Sequence, residues 1–452
     1  MTVTDLSASR GQELRLPPGP RLPAWLQTLL FTLARHRLYP AMRRKYGDTF
    51  LLKPTAPYRH MVVLGRPEDI KTVFAGAPDV YHAGEGNSIM RPAMGDHSVL
   101  LTDEDEHKRT RRLLAPAFTG RALDGYREMV TERTRHAVSR WPVGQPLSAL
   151  DRMQELMLEV IVSVVLGVTS RERLTQLRPA IHHITGIDPV TLMGLHYPRL
   201  HRLPPWRTHL RHQRKFDEIT YAEIAERRAS GSYRTRHDVL SRLMQVSDGD
   251  SGRGLDDVEL RDNIISVLLA GHDTTAAGLA WALHELVRNP EQLAAAQQAA
   301  LDNDDDYLAA VAKETLRIKP VINDVARQLT EPVRIGEYHL PAGITVLPAI
   351  ALVHADPARH TAPTEFEPSR FLGQQPEANT WIPFGGGARR CIGALFAVME
   401  MTIVLKTVLQ TYDLRPHRRA PETRKAKNII TVPARGGRII ATRRSDSKKD
   451  HT

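Results

Sequence analysis

The chain has 452 residues, with 62 Lys+Arg against 51 Asp+Glu, a formal charge of +11, and 41% hydrophobic and 25% charged residues. That is the balance of a globular chain able to bury a large core. A single cysteine, Cys391, excludes an internal disulfide framework, a zinc ribbon and a cysteine-held iron–sulfur cluster, and fits a reducing compartment. Basic and acidic residues are interleaved along the chain and aromatics make up only 6%, so no nucleic-acid-binding stripe is expected; a basic face for an acidic protein partner fits better.

In chain order, residues 1–17 are polar and run into "RLPPGP", which reads as a disordered or extended arm. "PAWLQTLLFTLA", Pro23 to Ala34, falls short of the ~20 apolar residues that span a bilayer; it reads as an amphipathic helix, with contact to a membrane at most peripheral. "TFLLK" and "HMVVLG" read as paired strands, and "PEDIKTVFA" as a helix with Pro67 in its first turn. Helical periodicity dominates from about 103 to 318. "PVRIGEYHLPAGITVLPAI" is a later strand set with turns at Gly336 and "PAG". The polar stretch 443–452 reads as a disordered tail, and 18–442 as a single domain, because no composition shift marks a boundary. The fold class expected is mainly α with a smaller β part (α+β) built from both ends of the sequence.

Two stretches carry chemistry. From about Asp256 to Asn289 there is no proline, and "NIISVLLAG" is apolar on nearly all sides, which predicts a long helix buried through the molecule. Within it "AGHDTT", Ala270 to Thr275, sets a glycine, an aspartate and two threonines among apolar neighbours, at a cost unless they are paired or used. Threonine hydroxyls bonding back to carbonyls is one reading. The other is that Ala270 and Gly271 leave room for a flat ligand while Asp273 and Thr274 deliver protons. The second stretch is "FGGGARRCIG", 384–393. A thiolate is a soft ligand for iron, the glycines let backbone approach a flat ligand, and the apolar helical pattern starting at Cys391 sets the thiol at a helix N-terminus, which favours its anion. Glu314 and Arg317 of "KETLRIKP" share a helix face, and Arg370 of "FEPSRF" can join them in a buried network.

"FGGGARRCIG" resembles the haem-binding stretch of the cytochrome P-450 family, Phe-Gly-x-Gly-x-Arg-x-Cys-x-Gly, at every fixed position: Phe384, Gly385, Gly387, Arg389, Cys391 and Gly393. "AGHDTT", "ETLR", "FEPSRF" and "EHKRTRRLLAPAF" resemble further family segments, in the family's order, so the resemblance covers nearly the whole chain. It implies the P-450 fold, with the long central helix over a heme b (haem b, iron protoporphyrin IX) whose axial ligand is the Cys391 thiolate. It implies that Phe384 shields the sulfur, that Gly385 and Gly393 admit the ring beside Ala270, and that His107, Arg111, Arg327 and Arg389 meet the haem propionates. Asp273 and Thr274 match the acid–alcohol pair, His272 fills a variable position and faces away, and Glu314, Arg317 and Arg370 form a structural network. Substrate contacts fall on Ile89, Val267, Val321, Ile322 and Val325, with a late turn at Ile429–Thr431; they suggest an apolar pocket.

The resemblance implies a monooxygenase that inserts one atom of O2 into a hydrophobic small molecule. Lipid, steroid, terpenoid, polyketide and aromatic classes all stay open. No Gly-x-Gly-x-x-Gly follows a strand, so electrons are expected from separate proteins, a ferredoxin and a ferredoxin reductase, docked on a basic face that includes Arg109 and Arg112. A monomer in the cytoplasm is expected. A peroxide-driven peroxygenase is the alternative, against which Asp273 and Thr274 speak, and a haem carrier without catalysis would not need that pair. The basic stretch 195–215 reads as a solvated loop at the family's mobile lid.

Overall fold

The structure, a computed structural model, describes residues 15–55, 60–167, 171–246, 252–373 and 376–444. The arm up to residue 14 and the tail from 445 lie outside the described residues. Helix accounts for 58% and strand for 11%, the mainly α composition expected. The chain groups into two compact units, one from 1–111, 322–363 and 377–391, the other from 112–321, 364–376 and 392–452.

The first unit is built on a five-stranded sheet that joins early and late sequence. Thr49–Leu52 pairs antiparallel with Met61–Leu64 (Thr49 opposite Leu64, Leu52 opposite Met61), and Met61–Leu64 pairs parallel with Thr345–Pro348. Arg327–Leu329 and Tyr81–His82 complete it. All three of the former strands are buried at every position, so alternation serves two cores rather than one. Phe50, Leu52, Met61 and Val63 meet Leu38 and Tyr39 of the N-terminal helix. Leu51, Val62 and Leu64 meet Ile70, Val73 and Phe74 of Pro67–Ala75. Burying each such side chain contributes about 1.5–3 kcal/mol.

The N-terminal helix is longer than "PAWLQTLLFTLA" suggests. It runs Ala24–Tyr46 with a kink at Ala34. Its second half is tied down by Asp324, which accepts from the Arg35 guanidinium at 3.0 and 3.1 Å and from Tyr39 Oη at 2.7 Å. Burial and the neighbouring Asp324 charge hold the Tyr39 phenol well above its ordinary pKa. Arg15 is docked rather than loose, pairing with Glu337 at 2.7 Å.

The second unit is organised around the helix Asp257–Leu286, roughly 45 Å long at 1.5 Å per residue. A capping box starts it: Asp256 accepts from the backbone of Val258 and Glu259, and Glu259 reaches back to the Asp256 amide. The central helix ends at Leu286, and Pro290, which closes the proline-free run, starts the next helix. The central helix packs along Ala149–Leu166, Asp305–Ile318 and Ala394–Thr411. Among the described residues Ala394–Thr411 is the one helix long and apolar enough to cross a membrane, and 67% of it is buried, as in a core helix. The basic stretch 195–215 is not all loop: Trp206 starts a helix that runs to Ser230. Arg443, assigned above to the tail, ends the strand Ile439–Arg443.

Candidate active site

In the first unit, residues 384–391 form a tight loop closed by the Cys391 amide donating to the Phe384 carbonyl at 2.9 Å. Cys391 is exposed and lies three residues before the helix Ala394–Thr411. Phe384 stands edge-on to Trp381, with ring centroids 5.9 Å apart. Gly387 has φ +64°, and a Cβ there would lie 2.0 Å from the Phe74 carbonyl oxygen. Part of the loop's glycine content therefore serves its close seat on Phe74, a reason the motif alone did not reveal.

Around this loop the same unit gathers cations. His107 and Arg111 lie on the helix Glu104–Leu114, Arg327 on a sheet strand and Arg389 in the loop. Arg389 pairs with Asp103 and donates to the carbonyls of Thr102 at 2.6 Å and Val99 at 3.3 Å, which engages three of the five N–H groups a guanidinium carries. Arg111 donates to the Arg390 carbonyl at 2.6 Å; burial lowers its pKa, against which negative charge on the nearby Cys391 would act. Arg327 is 5% exposed, yet its hydrogen bond goes to the Ala326 carbonyl and it pairs with no carboxylate among the described residues. Burial, then repulsion from Arg389, lowers its pKa to about 10. Burial and the three guanidiniums push the His107 pKa down to about 3, so its imidazole is neutral. Three guanidiniums and Asp103 leave this cluster short of negative charge.

In the second unit, the central helix is buried along most of its length, but Ala270 is exposed and Gly271 and Thr274 are half-buried. These three positions share one face. Thr274 Oγ1 donates to the Ala270 carbonyl at 2.6 Å, the back-bonding anticipated, which leaves its oxygen lone pairs as acceptors. Gly271 has a second role: a Cβ there would lie 2.7 Å from Ile161 Cδ1, so the glycine lets Ala149–Leu166 pack close. Asp273 is buried and held from two sides, by Gln154 Nε2 at 2.5 Å and Lys427 Nζ at 2.9 and 3.1 Å. His272 donates Nε2–H to the Gln154 carbonyl at 3.0 Å, and burial lowers its pKa.

Glu314, Arg317 and Arg370 come together in that unit. Arg317 meets Glu314 at 2.6 and 2.7 Å, both side chains fully buried, and also donates to the Glu365 carbonyl at 3.0 Å. Arg370 approaches Glu314 to 3.4 Å, and the Glu367 amide donates to it at 3.0 Å. Of the apolar pocket residues, Val267 and Val321 are buried in the second unit, while Ile322 and Val325 pack against the first unit's sheet core and Ile89 is half-buried in a 3-10 turn. Gly393 caps the helix Ala394–Thr411.

Sequence reasoning missed Asp103, Gln154 and Lys427, whose roles depend on long-range contacts, and Glu400. The last was visible as a lone acid in an apolar helix: it is 1% exposed, burial pushes its carboxyl well above the usual range, and Thr275 donates to it at 3.3 Å.

Residues 17–441 match the family described as Cytochrome P450. A protein of Mycobacterium tuberculosis named putative cytochrome P450 135A1 is 46% identical over 432 residues, 95% of this chain and 96% of the relative. Putative cytochrome P450 135B1 of Mycobacterium bovis is 43% identical over 94% of this chain and 91% of the relative. Among solved structures, a retinoic-acid-bound cyanobacterial CYP120A1 superposes with a TM-score of 0.82 at 22% identity, over 96% of this chain and 100% of the other. The cytochrome P450DA haem domain does so with a TM-score of 0.82 at 23% identity, over 96% and 99%.

Proposed function

This chain belongs to the cytochrome P450 family, as a haem-thiolate monooxygenase, and from that premise we propose how its own residues hold the cofactor and serve the reaction. The family binds haem b through a cysteine thiolate, and Cys391 is the chain's single cysteine. When bound, the haem supplies reductive activation of O2 and transfer of one of its atoms to substrate.

The observation that carries the residue assignment is the cation cluster. A buried Arg327 that forms no ion pair among the described residues, a neutral His107 and the partly engaged Arg111 and Arg389 fit the two carboxylates of the haem edge. Arg111 and the helix that follows favour the Cys391 thiolate over the thiol. Phe384, Gly385 and Gly393 are assigned to the same cofactor. Ala270 and Thr274, on the accessible face of the central helix, are assigned to the oxygen side: Thr274 Oγ1 holds a proton that Asp273 resupplies. Glu314, Arg317 and Arg370 are structural.

The substrate is an apolar small molecule, and the apolar residues that the family resemblance assigns to it are Ile89, Val267, Val321, Ile322 and Val325. Retinoic acid, bound in one structural neighbour, belongs in a first probe panel beside steroids, fatty acids and terpenoids, scored by the spin-state shift of the absorption spectrum. The electron donors are a ferredoxin and its reductase, which suits the +11 charge, and the location is the cytoplasm. Trp25, Leu29 and Leu33, exposed at helical spacing on one face of the N-terminal helix, support peripheral contact with a membrane.

The deciding experiment is Cys391→His. The ferrous carbon-monoxide complex of the purified protein is expected to lose its red-shifted Soret band; persistence of that band removes Cys391 as the ligand.

A further inference from the structure

The +11 charge is not spread evenly along the chain. Residues 412–444 hold ten basic side chains against two acidic ones, which is eight of the eleven net positive charges. The segment supplies the strands Tyr412–Pro416, Arg424–Lys427, Ile430–Pro433 and Ile439–Arg443 of the second unit. Half of its cations are engaged within the fold. Arg424 donates to the Ile318 carbonyl at 2.7 Å, and Arg443 lies over the Tyr412 ring. Lys427 pairs with Asp273 at 2.9 Å, Arg435 with Glu422 at 3.5 Å and Arg444 with Asp413 at 3.0 Å. The other five, Arg415, Arg418, Arg419, Lys425 and Arg438, are exposed and pair with no carboxylate among the described residues.

Three of these five converge. Pairing of Ile439 with Pro416 brings Arg438 to the turn that carries Arg418, and the hairpin of Arg424–Lys427 with Ile430–Pro433 adds Lys425. All three line one cleft of about 730 Å³ within the second unit, a volume in the range of small-molecule sites. Two of the carboxylates on its walls are engaged: Asp188 accepts from the amides of Val190 and Thr191 at 2.9 and 3.0 Å, and Glu422 from the Arg435 amide at 2.9 Å. Asp151, in the first turn of Ala149–Leu166, is the remaining opposing charge. None of the lining residues is among the large apolar side chains exposed at the surface, so the cleft offers nothing to an acyl chain. Like charges held together repel, and an anion placed between them removes that cost. A phosphate ester carries about −1.5 to −2 at pH 7 and three acceptor oxygens, and arginine meets it with two parallel N–H donors. We propose that this cleft binds a soluble small molecule bearing a phosphomonoester or diphosphate group, held by Arg418, Lys425 and Arg438.

The test titrates the haem-loaded full chain, in which the cofactor already engages the cations around Arg327, with inorganic pyrophosphate and with ADP in a calorimeter. One saturable site is expected. The triple variant Arg418→Gln, Lys425→Gln, Arg438→Gln should weaken it by about tenfold or more, since three exposed charge contacts of modest strength are lost together. All three side chains are exposed and unpaired, so this variant is expected to keep the wild-type ferrous carbon-monoxide spectrum. A second triple variant, Arg199→Gln, Arg202→Gln, Arg207→Gln, removes the same charge from exposed positions elsewhere in the unit and should bind as wild type does. Equal weakening in both variants would show an effect of net charge and overturn the site. Unchanged affinity in the first variant, or no saturable binding of either probe to wild type, overturns it as well. Citrate, a multiply charged carboxylate, checks the chemistry: if it binds as tightly as pyrophosphate, the preference for phosphate is wrong. Vesicles of phosphatidylcholine with phosphatidic acid check the source. Sedimentation with them that the first variant abolishes, with neither soluble probe bound, would assign the cleft to a lipid headgroup and overturn the soluble ligand.

Discussion

Arg317 and Arg327 are ten positions apart and almost equally buried, yet their surroundings are opposite. Arg317, in the second unit, meets Glu314 through two short bonds, and its Nη2 also donates to the Glu365 carbonyl. Arg327, in the first unit, has one carbonyl, the repulsion of Arg389 and only the distant attraction of Asp103, with which it forms no ion pair among the described residues. Burying a charge is costly unless it is paired. A satisfied buried arginine is therefore complete as it stands and serves the fold. One left short of negative charge lowers the stability of the protein that carries it, and its presence there points to an anion from outside the chain.

Removing partners breaks this comparison most sharply. Glu314→Leu strands Arg317 as an uncompensated buried charge and is expected to cost about 3–5 kcal/mol, read as a lower urea midpoint and a lower soluble yield. Arg327→Met should do the reverse to the apo-protein: stability unchanged, or higher by up to about 2 kcal/mol, because a buried charge short of a partner is gone. The same variant should lose haem at least about tenfold faster to an apo-globin acceptor. Apo-protein of Arg327→Met as unstable as Glu314→Leu would show that the two arginines serve the same purpose.

Protonation sharpens the contrast at smaller amplitude. In an unfolded chain His107 takes up a proton near pH 6.5, but in the folded apo-protein only near 3. Between these values the unfolded chain binds more protons, so stability falls as pH falls, by at most about 1.4 kcal/mol per pH unit for this residue. His209 and His284, both pushed down to about 4 by burial, add slopes of the same sign from the second unit. The difference between wild type and His107→Gln isolates the cluster, and it should shrink when haem is bound, since carboxylates beside His107 restore its basicity. A difference that is equal in apo- and holo-protein would separate His107 from the cofactor.

The sequence displayed the satisfied region more readily than its reasons. Glu314 and Arg317 share a helix face at a spacing anyone can read, and the central helix is bounded by Asp256 and Pro290, both visible punctuation. The Cys391 loop was legible because its residue types follow one another directly. Asp103 against Arg389, and Gln154 and Lys427 against Asp273, join positions 286, 119 and 154 residues apart. No local periodicity encodes such pairs; they appear only once the sheet and helices bring distant segments into register. The same limit hid why parts of the glycine-rich stretches are glycine, since Phe74 and Ile161, which exclude a Cβ at Gly387 and Gly271, lie on other elements.

That last point yields the smallest expected effect. Gly387 is required by the apo-fold itself, through its positive φ and the Phe74 carbonyl. Gly393 has φ −89°, which any residue adopts, and a Cβ there would meet no atom within 4 Å. Gly393→Ala should therefore leave apo-protein stability within about 0.5 kcal/mol of wild type, and alanine at a helix start carries no strain of its own. If the glycine serves the cofactor, the cost must appear as faster haem loss from the holo-protein. If haem loss is also unchanged, Gly393 leaves the cofactor-binding set and its place in the motif needs another cause. Like the two arginines, the two glycines would then be sorted by one criterion, whether the protein without its ligand already accounts for them.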